Sequence, residues 1–422
     1  MPETINKIRL IIIILFFLSA FQLCPAQNSP VKTDSLQSNR LKIYITCGND
    51  CDQDYIRTEI NYVDYMQQRQ DADVNILVIE AETGGGGTEY SMEFIGQDEY
   101  ANITDTLKYI APPSESDDNI RAGMVRVLKM GLMRYIARTP LAQNISISYD
   151  KPTEKKEIID NWDNWVFTLS SNLYFQGEKS YKSAQIYSNI QAARVTEASK
   201  ISLYFYYNYQ EYKYSDGDYK ATNINRQKGF SGLYVRSLGG HWSAGLRGGV
   251  YDSPYGNEEI AVYGGPALEY DIFPYSESTR RMLTIYYRTT VHYVDYESET
   301  IYGKMSEWLN SERLTVALSL NRPWGSIYSY ISGAHYFHDF SKNTLELYSA
   351  LSINVVKGLT FNVNSSISLV HDQLGLRKGD LSPEDVILRR NQMETSYQYY
   401  ASIGISYSFG SKYNNIVNPR MN

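Results

Sequence analysis

Seven ionisable residues recur at alternate positions of apolar and aromatic segments in the second half of the chain: Arg236, Arg247, Glu269, Arg288, His292, Arg313 and Glu346. If those segments are strands, alternation turns these side chains away from the Leu, Ile, Val and Phe set and into an interior where unpaired charge is costly. Two kinds of chemistry suit them. They can satisfy one another in ion-pair and hydrogen-bond ladders, or they can line a wet channel.

Other reactive residue types are sparse. Cys47 and Cys51, in Cys-Gly-Asn-Asp-Cys, are the cysteines left once Cys24 is set aside. In an oxidising compartment they are expected to close a small disulfide loop. A zinc site lacks nearby His or a second cysteine pair, and a redox pair lacks Cys-x-x-Cys spacing. Of the five histidines, His335 and His338 stand three apart on one segment and face opposite ways, as do the neighbours His371 and Asp372. Gly84 to Gly87 precede no Lys-Ser/Thr pair and open no helix, so they are expected at a hairpin tip and not around a phosphate. Arg57, Glu59, Asp64, Arg69, Asp71 and Asp73 suit solvated helix faces and i to i+4 pairs. No catalytic residue, metal ligand or cofactor is assigned, and the chain is not expected to be an enzyme. A membrane-embedded lipid-modifying enzyme working from a rim histidine is the enzymatic alternative.

The elements that must position the seven charges begin at Trp162. Twelve strands are expected, centred near residues 170, 187, 206, 232, 247, 265, 288, 314, 332, 349, 365 and 402. Most long links (215–226, 253–257, 297–308 and 373–393) share one parity, and the short ones (196–199, 239–240, 274–279, 322–325 and 357–358) share the other. Loops on one side and turns on the other, with period-two faces, are the pattern of a transmembrane β-barrel. Leu345, Leu347, Leu351, Ile353 and Val355 alternate with Glu346, Tyr348, Ser352 and Asn354, and the next segment repeats the pattern from Leu359 to Leu369. A soluble sandwich would carry charge on the outer face instead. The last segment, Tyr397 to Phe409, resembles the carboxy-terminal targeting strand of outer-membrane proteins, although 13 residues follow its final aromatic.

The chain has 39 Tyr, 13 Phe and 5 Trp in 422 residues, with a mean hydropathy of -0.40. Lys7 and Arg9, the apolar run Leu10 to Leu18 and the small residues near Ala26 have a secretory signal layout, too short for a spanning helix. A lipoprotein cut at Cys24 is the alternative, but Phe21-Gln22-Leu23 lacks the expected small residues. Cleavage after Ala26 leaves 38 basic and 46 acidic residues, a net charge of -8. No basic patch points to nucleic acid. The expected organisation is a signal peptide over 1–26, a linker over 27–40, a small periplasmic α/β domain over 41–150, the barrel over 162–410 and a periplasmic tail over 411–422.

Within the α/β domain, strands are expected at 41–46, 74–82, 89–95, 103–110 and 144–149. A first helix follows an Asp52 or Asp54 cap and carries Ile56, Ile60, Val63 and Met66 on one stripe. A second runs from Asp117 through Ile120, Met124, Val127, Leu128, Leu132 and Ile136, and Pro140 bars its continuation.

The segment Cys51-Asp52-Gln53-Asp54-Tyr55-Ile56-Arg57-Thr58-Glu59-Ile60, with Asp71-Ala72-Asp73-Val74, the Gly-rich tip and the closing Tyr413-Asn414-Asn415-Ile416-Val417-Asn418-Pro419, resembles an uncharacterised Bacteroidetes-type family of outer-membrane proteins. The resemblance spans nearly the whole mature chain and implies no activity. Asn172-Leu173-Tyr174-Phe175-Gln176-Gly177 looks like an engineered protease site, but its alternation is that of a native strand.

The function expected is an outer-membrane barrel serving as a restricted pore, or as a membrane anchor whose periplasmic domain contacts another envelope component. An assembly or scaffold factor with a closed barrel is the alternative. The partners implied are outer-membrane lipid, the barrel-assembly machinery during biogenesis and a periplasmic protein.

Overall fold

The structure, a computed structural model, describes residues 40–48, 51–84, 86–148, 160–379, 392–415, 417–418 and 420. The signal segment, Cys24 and all of the linker except Arg40 lie outside the described residues. From Leu41 onward the chain forms one compact unit, so the α/β domain and the barrel sheet belong to a single body.

The first part is a five-stranded sheet of order β2-β1-β3-β4-β5, built from β1 (Lys42–Thr46), β2 (Asp64–Tyr65), β3 (Val74–Glu82), β4 (Thr88–Gly96) and β5 (Thr104–Ala111). Helices α1 (Gln53–Glu59) and α2 (Asp117–Ile136) cover one face. Ile43, Val74, Ile76, Val78, Tyr90, Met92 and Phe94 alternate onto that face and meet Met124, Leu128, Leu132 and Tyr135 of α2. Gly131 is required by the close approach, because a Cβ there would stand 2.1 Å from the Phe94 ring. Asp52 caps α1 by accepting from the Tyr55 amide at 2.9 Å, and it pairs with Arg121 of α2 at 3.0 Å, tying the two helices together.

Two expectations for this part are corrected. Helix α1 stops after one face-forming turn, so Val63 and Met66 belong to the edge around β2 and not to a helical stripe. Asn144 ends a short 3-10 turn (Pro140–Asn144), and residues 145–148 form no strand.

The second part is a twelve-stranded antiparallel meander: β6 (Trp165–Gly177), β7 (Tyr181–Val195), β8 (Ser199–Asp216), β9 (Tyr219–Ser237), β10 (Trp242–Ser253), β11 (Glu258–Asp271), β12 (Arg281–Tyr296), β13 (Ser306–Arg322), β14 (Gly325–Tyr336), β15 (Asp339–Val356), β16 (Leu359–Val370) and β17 (Tyr397–Tyr407). Every strand pairs with its sequence neighbours. All twelve expected strand centres fall inside these ranges. The expected long link over 215–226 is instead a tight hairpin around Gly217, where φ is +57, with β8 and β9 extended to meet it. β6 and β17 are the ends of the ladder, and among the described residues no pairing joins them.

Cross-strand partners share a face, so register assigns the two surfaces without ambiguity. Ile285, Tyr287, Val291, Leu314, Ile331, Leu345 and Leu347 are exposed on the outward face. The inward face carries Tyr251, Tyr263, Arg288, His292, Arg313, Tyr330, Tyr348 and Glu346.

Candidate functional site

At its loop end the barrel wall receives a loop of the chain itself. Between β16 and β17 the chain leaves the wall and crosses to the tips that follow β10 and β12. There Leu374 and Leu376 become 7% exposed, and Leu374 joins a cluster with Ala261, Val294, Tyr296 and Leu309, packed on Tyr251 and Tyr336. All of those wall residues face inward, on β10 to β14, so the cluster packs apolar side chains against that part of the loop-end mouth.

Polar contacts also hold this loop. Thr300 and Arg377 form an antiparallel bridge. The Ile301 amide donates to the Leu376 carbonyl at 2.8 Å, and the Lys378 amide donates to the Glu299 carbonyl at 2.8 Å. The Arg377 guanidinium donates to Ser298 Oγ at 3.0 Å and to the Pro254 carbonyl at 3.1 Å, and it pairs with Glu297. Gly375 passes so close to the 254–257 tip that a Cβ would stand 2.6 Å from the Gly256 carbonyl oxygen. Asn257, left-handed at φ +66 and almost fully buried, exchanges two hydrogen bonds with Ser298 and locks the two receiving tips together.

The opposite mouth is covered by the α/β domain. Its second sheet face carries Tyr44, Asn75, Leu77, Ile79, Ser91 and Glu93, and the last five are buried although no helix covers them. The barrel turns do. Arg280, in the β11–β12 turn, pairs with Glu93 (8% exposed) and donates to Thr106 Oγ1 at 2.9 Å. Lys357, in the β15–β16 turn, reaches Asp71 at 2.5 Å, and the neighbouring Gly358 amide donates to Gln68 Oε1 at 2.8 Å. The tail past β17 adds a short strand to the domain's edge. The Gln67 amide donates to the Lys412 carbonyl and the Asn414 amide to the Tyr65 carbonyl, both at 2.8 Å, while Asn415 bridges the Tyr65 amide and the Asp64 carboxylate. The cover is not a seal. Cavities of about 540 Å³ and 380 Å³ remain between domain and barrel, the first beside Arg57 and Phe409, the second beside Leu77 and Arg322.

Lys357, with Lys412 farther off, holds the Asp71 carboxyl below the usual carboxylate range. A depressed folded pKa contributes stability that is present above the unfolded value of about 4 and is lost as pH falls through the folded one. Acidifying from pH 6 to pH 3 is therefore expected to loosen the domain from the barrel. Proteolytic accessibility around Gln68 should rise over that range in the wild type, and the rise should be smaller in Asp71→Asn, which is already loosened.

Six of the seven expected interior charges face the lumen. Arg247 opposes Gly265, Arg288 opposes Ala267 and Arg313, and His292 opposes Tyr263 and Leu309. Glu269 accepts from the Tyr275 hydroxyl at 3.0 Å, and Glu346 accepts from the Tyr330 hydroxyl at 2.7 Å. Arg236 is the correction. Its partners are Ser199 and Ala244, in register with Tyr234 opposite Leu246 and Phe230 opposite Val250, so it points outward at the terminal end of β9. A guanidinium there extends past the apolar band to the interface, which makes the position tolerable.

The residues that close the loop end were not foreseen. Their signal was present: Leu374-Gly375-Leu376 is a short apolar alternation inside an otherwise polar loop. His335 lies on the outward face and pairs with Glu312 at 2.8 Å, which also accepts from Tyr287. His371 meets Asn343 at 3.2 Å.

Cys47 and Cys51 stand as thiols, and a hydrogen bond from the Cys51 side chain lowers the Cys47 pKa. That proximity and acidity favour oxidation. In envelopes isolated under alkylating conditions, unreduced peptides are expected to contain Cys47 joined to Cys51. Two alkylated cysteines would count against the disulfide.

No family model matches the chain, and no curated protein matches it. Two solved structures align with part of the chain at low similarity. The NanC porin, in a rhombohedral crystal form, aligns with a TM-score of 0.28 and 12% identity over 57% of this chain and 100% of that one. The beta domain of the Bordetella autotransporter BrkA aligns with a TM-score of 0.25 and 13% identity over 58% of this chain and 98% of that one.

Proposed function

We propose that the protein is an outer-membrane β-barrel with a restricted lumen, shut at the outer mouth by its own last loop and covered at the periplasmic mouth by its α/β domain. The observation that carries this is the burial of Leu374 among inward-facing wall residues, with Leu376 of the same loop also buried. An outward face of Leu, Ile, Val and Tyr requires lipid, and an even strand number returns both ends of the sheet to one side, where the α/β domain sits. That side is the periplasm if a secretory signal delivers the chain. Membership of a Bacteroidetes-type envelope family and help from the barrel-assembly machinery belong to the same proposal.

The reading is tested by reconstituting full-length protein in planar bilayers. A quiet baseline, broken only by rare openings, is expected. Steady conductance from every inserted molecule would show that the outer mouth is open at rest.

A second reading has its own support. Two barrel turns and the tail hold the domain, more attachment than a bare pore needs, so the barrel can also serve as its anchor. Crosslinking in intact envelopes separates the two: an anchor role requires that deleting residues 41–149 remove a neighbouring protein from the crosslinked set.

A further inference from the structure

We propose that Arg247, Arg288 and Arg313 form a binding site in the barrel lumen for a small oxyanion carrying two or more negative charges, of the phosphate or dicarboxylate class. This deepens the restricted-lumen reading and rests on it, by naming the solute the lumen selects.

Three observations converge. Arg288 and Arg313 are direct cross-strand partners on β12 and β13, an arrangement in which like charges repel. Arg247 stands one strand beyond, on β10, and the strand between them offers only Gly265 and Ala267 to the lumen at that level. Long side chains can therefore lean over β11 from both sides. Around the trio the inward positions include the small Gly245, Gly265, Ala267 and Ala334, with the Tyr263 ring lying over Gly249 and Tyr286 next along β12.

The charge is also unanswered by the protein. Among the described residues, none of the three makes an ion pair with a carboxylate. Arg313 donates to Ser332 Oγ at 3.0 Å, which is neutral. Arg288 Nε is buried and meets no acceptor. The nearest lumen carboxylates, Glu269 and Glu346, are engaged by Tyr275 and Tyr330. Repelling guanidiniums with an orphaned N–H are retained at a cost unless an acceptor arrives, and a bidentate oxyanion suits the planar fork of arginine. The second cavity between domain and barrel is lined by the inward-facing Ser326, Ser352 and Asn354 at the turn end of the lumen.

The test is binding, which does not depend on whether the outer mouth is shut. Full-length protein in detergent at constant ionic strength is titrated with inorganic phosphate, with succinate and with chloride, following heat and melting temperature. Saturable stabilisation by phosphate or succinate, and none by chloride, is expected. Arg288→Gln and Arg313→Gln should each weaken that binding at least tenfold, yet melt no lower than wild type without anion, because a repulsive pair has been relieved. Arg313→Lys keeps the charge and loses the fork, and it should weaken binding too, which covers the case in which a Gln variant fails to fold. Lys213→Gln, outside the lumen, should leave affinity unchanged. Equal stabilisation by chloride, or undiminished phosphate and succinate binding in folded Arg288→Gln or Arg313→Lys, would overturn the site.

Discussion

Replacing Leu374 and Leu376 together with Asp is expected to turn a quiet barrel into a conducting one. Each leucine is almost completely withdrawn from solvent at the outer mouth, and burying such a side chain contributes about 1.5–3 kcal/mol. Aspartate loses that contribution and adds the cost of desolvating a carboxylate, at position 374 against Val294, Tyr296 and Leu309. Since about 1.4 kcal/mol shifts an equilibrium tenfold, the closed state should lose roughly two orders of magnitude or more in population. The polar latch around Arg377 does not rescue closure, because its contacts need the loop seated first. Single-channel recording should show frequent long openings in the double variant. Gly375→Val should act in the same direction, since its side chain has no room against Gly256. Unchanged silence in both variants would mean that the loop is not the barrier.

Removing residues 410–422 should free one edge of the α/β domain while leaving the barrel intact, because Phe409 and all of β17 remain. The tail supplies the acceptor for the Gln67 amide and, through Asn415, for the Tyr65 amide, and it answers the buried Asp64 carboxylate. Each such hydrogen bond contributes about 0.5–1.5 kcal/mol, with more for the one to a charge. Hydrogen exchange at the Tyr65 and Gln67 amides should accelerate roughly a hundredfold, the equivalent of about 2.7 kcal/mol of local opening. Amides of the central strand, such as those of Ile76 and Val78, should not change. Uniform acceleration across the domain would instead indicate that the tail is needed for folding, and no acceleration would show that it does not dock.

What the sequence revealed depended on how local the deciding interaction is. Strand alternation is local, so Leu345 to Val355 and Leu359 to Leu369 announced their two faces, and all twelve strands were placed. The second helix was equally legible, because Met124, Leu128, Leu132 and Ile136 repeat at helical spacing. Arg236 failed for a reason of parity. It sits at even spacing from Phe230 and Tyr234, so register turns it outward at a strand end, where an arginine is tolerated. The two closures were beyond reach. Lys412 to Asn415 dock on an edge some 350 residues away in sequence, and Leu374 meets wall residues contributed by three different strands. Neither contact leaves a periodic trace, although the leucine alternation in a polar loop and the unpaired β2 edge mark where partners were needed.

The central claim is that the chain closes its own outer mouth, and a crosslink between loop and wall tests it most directly. In a Cys47→Ser, Cys51→Ser background, cysteines replacing Leu374 and Leu309 would lie side by side within the apolar cluster. Mild oxidation of intact envelopes should join them in most molecules, as read by mass analysis of unreduced peptides, while a cysteine replacing the outward-facing Trp308 should not pair with the loop. Efficient joining is the result expected. Two alkylatable thiols at 374 and 309 in folded, membrane-inserted protein would contradict the closed lumen.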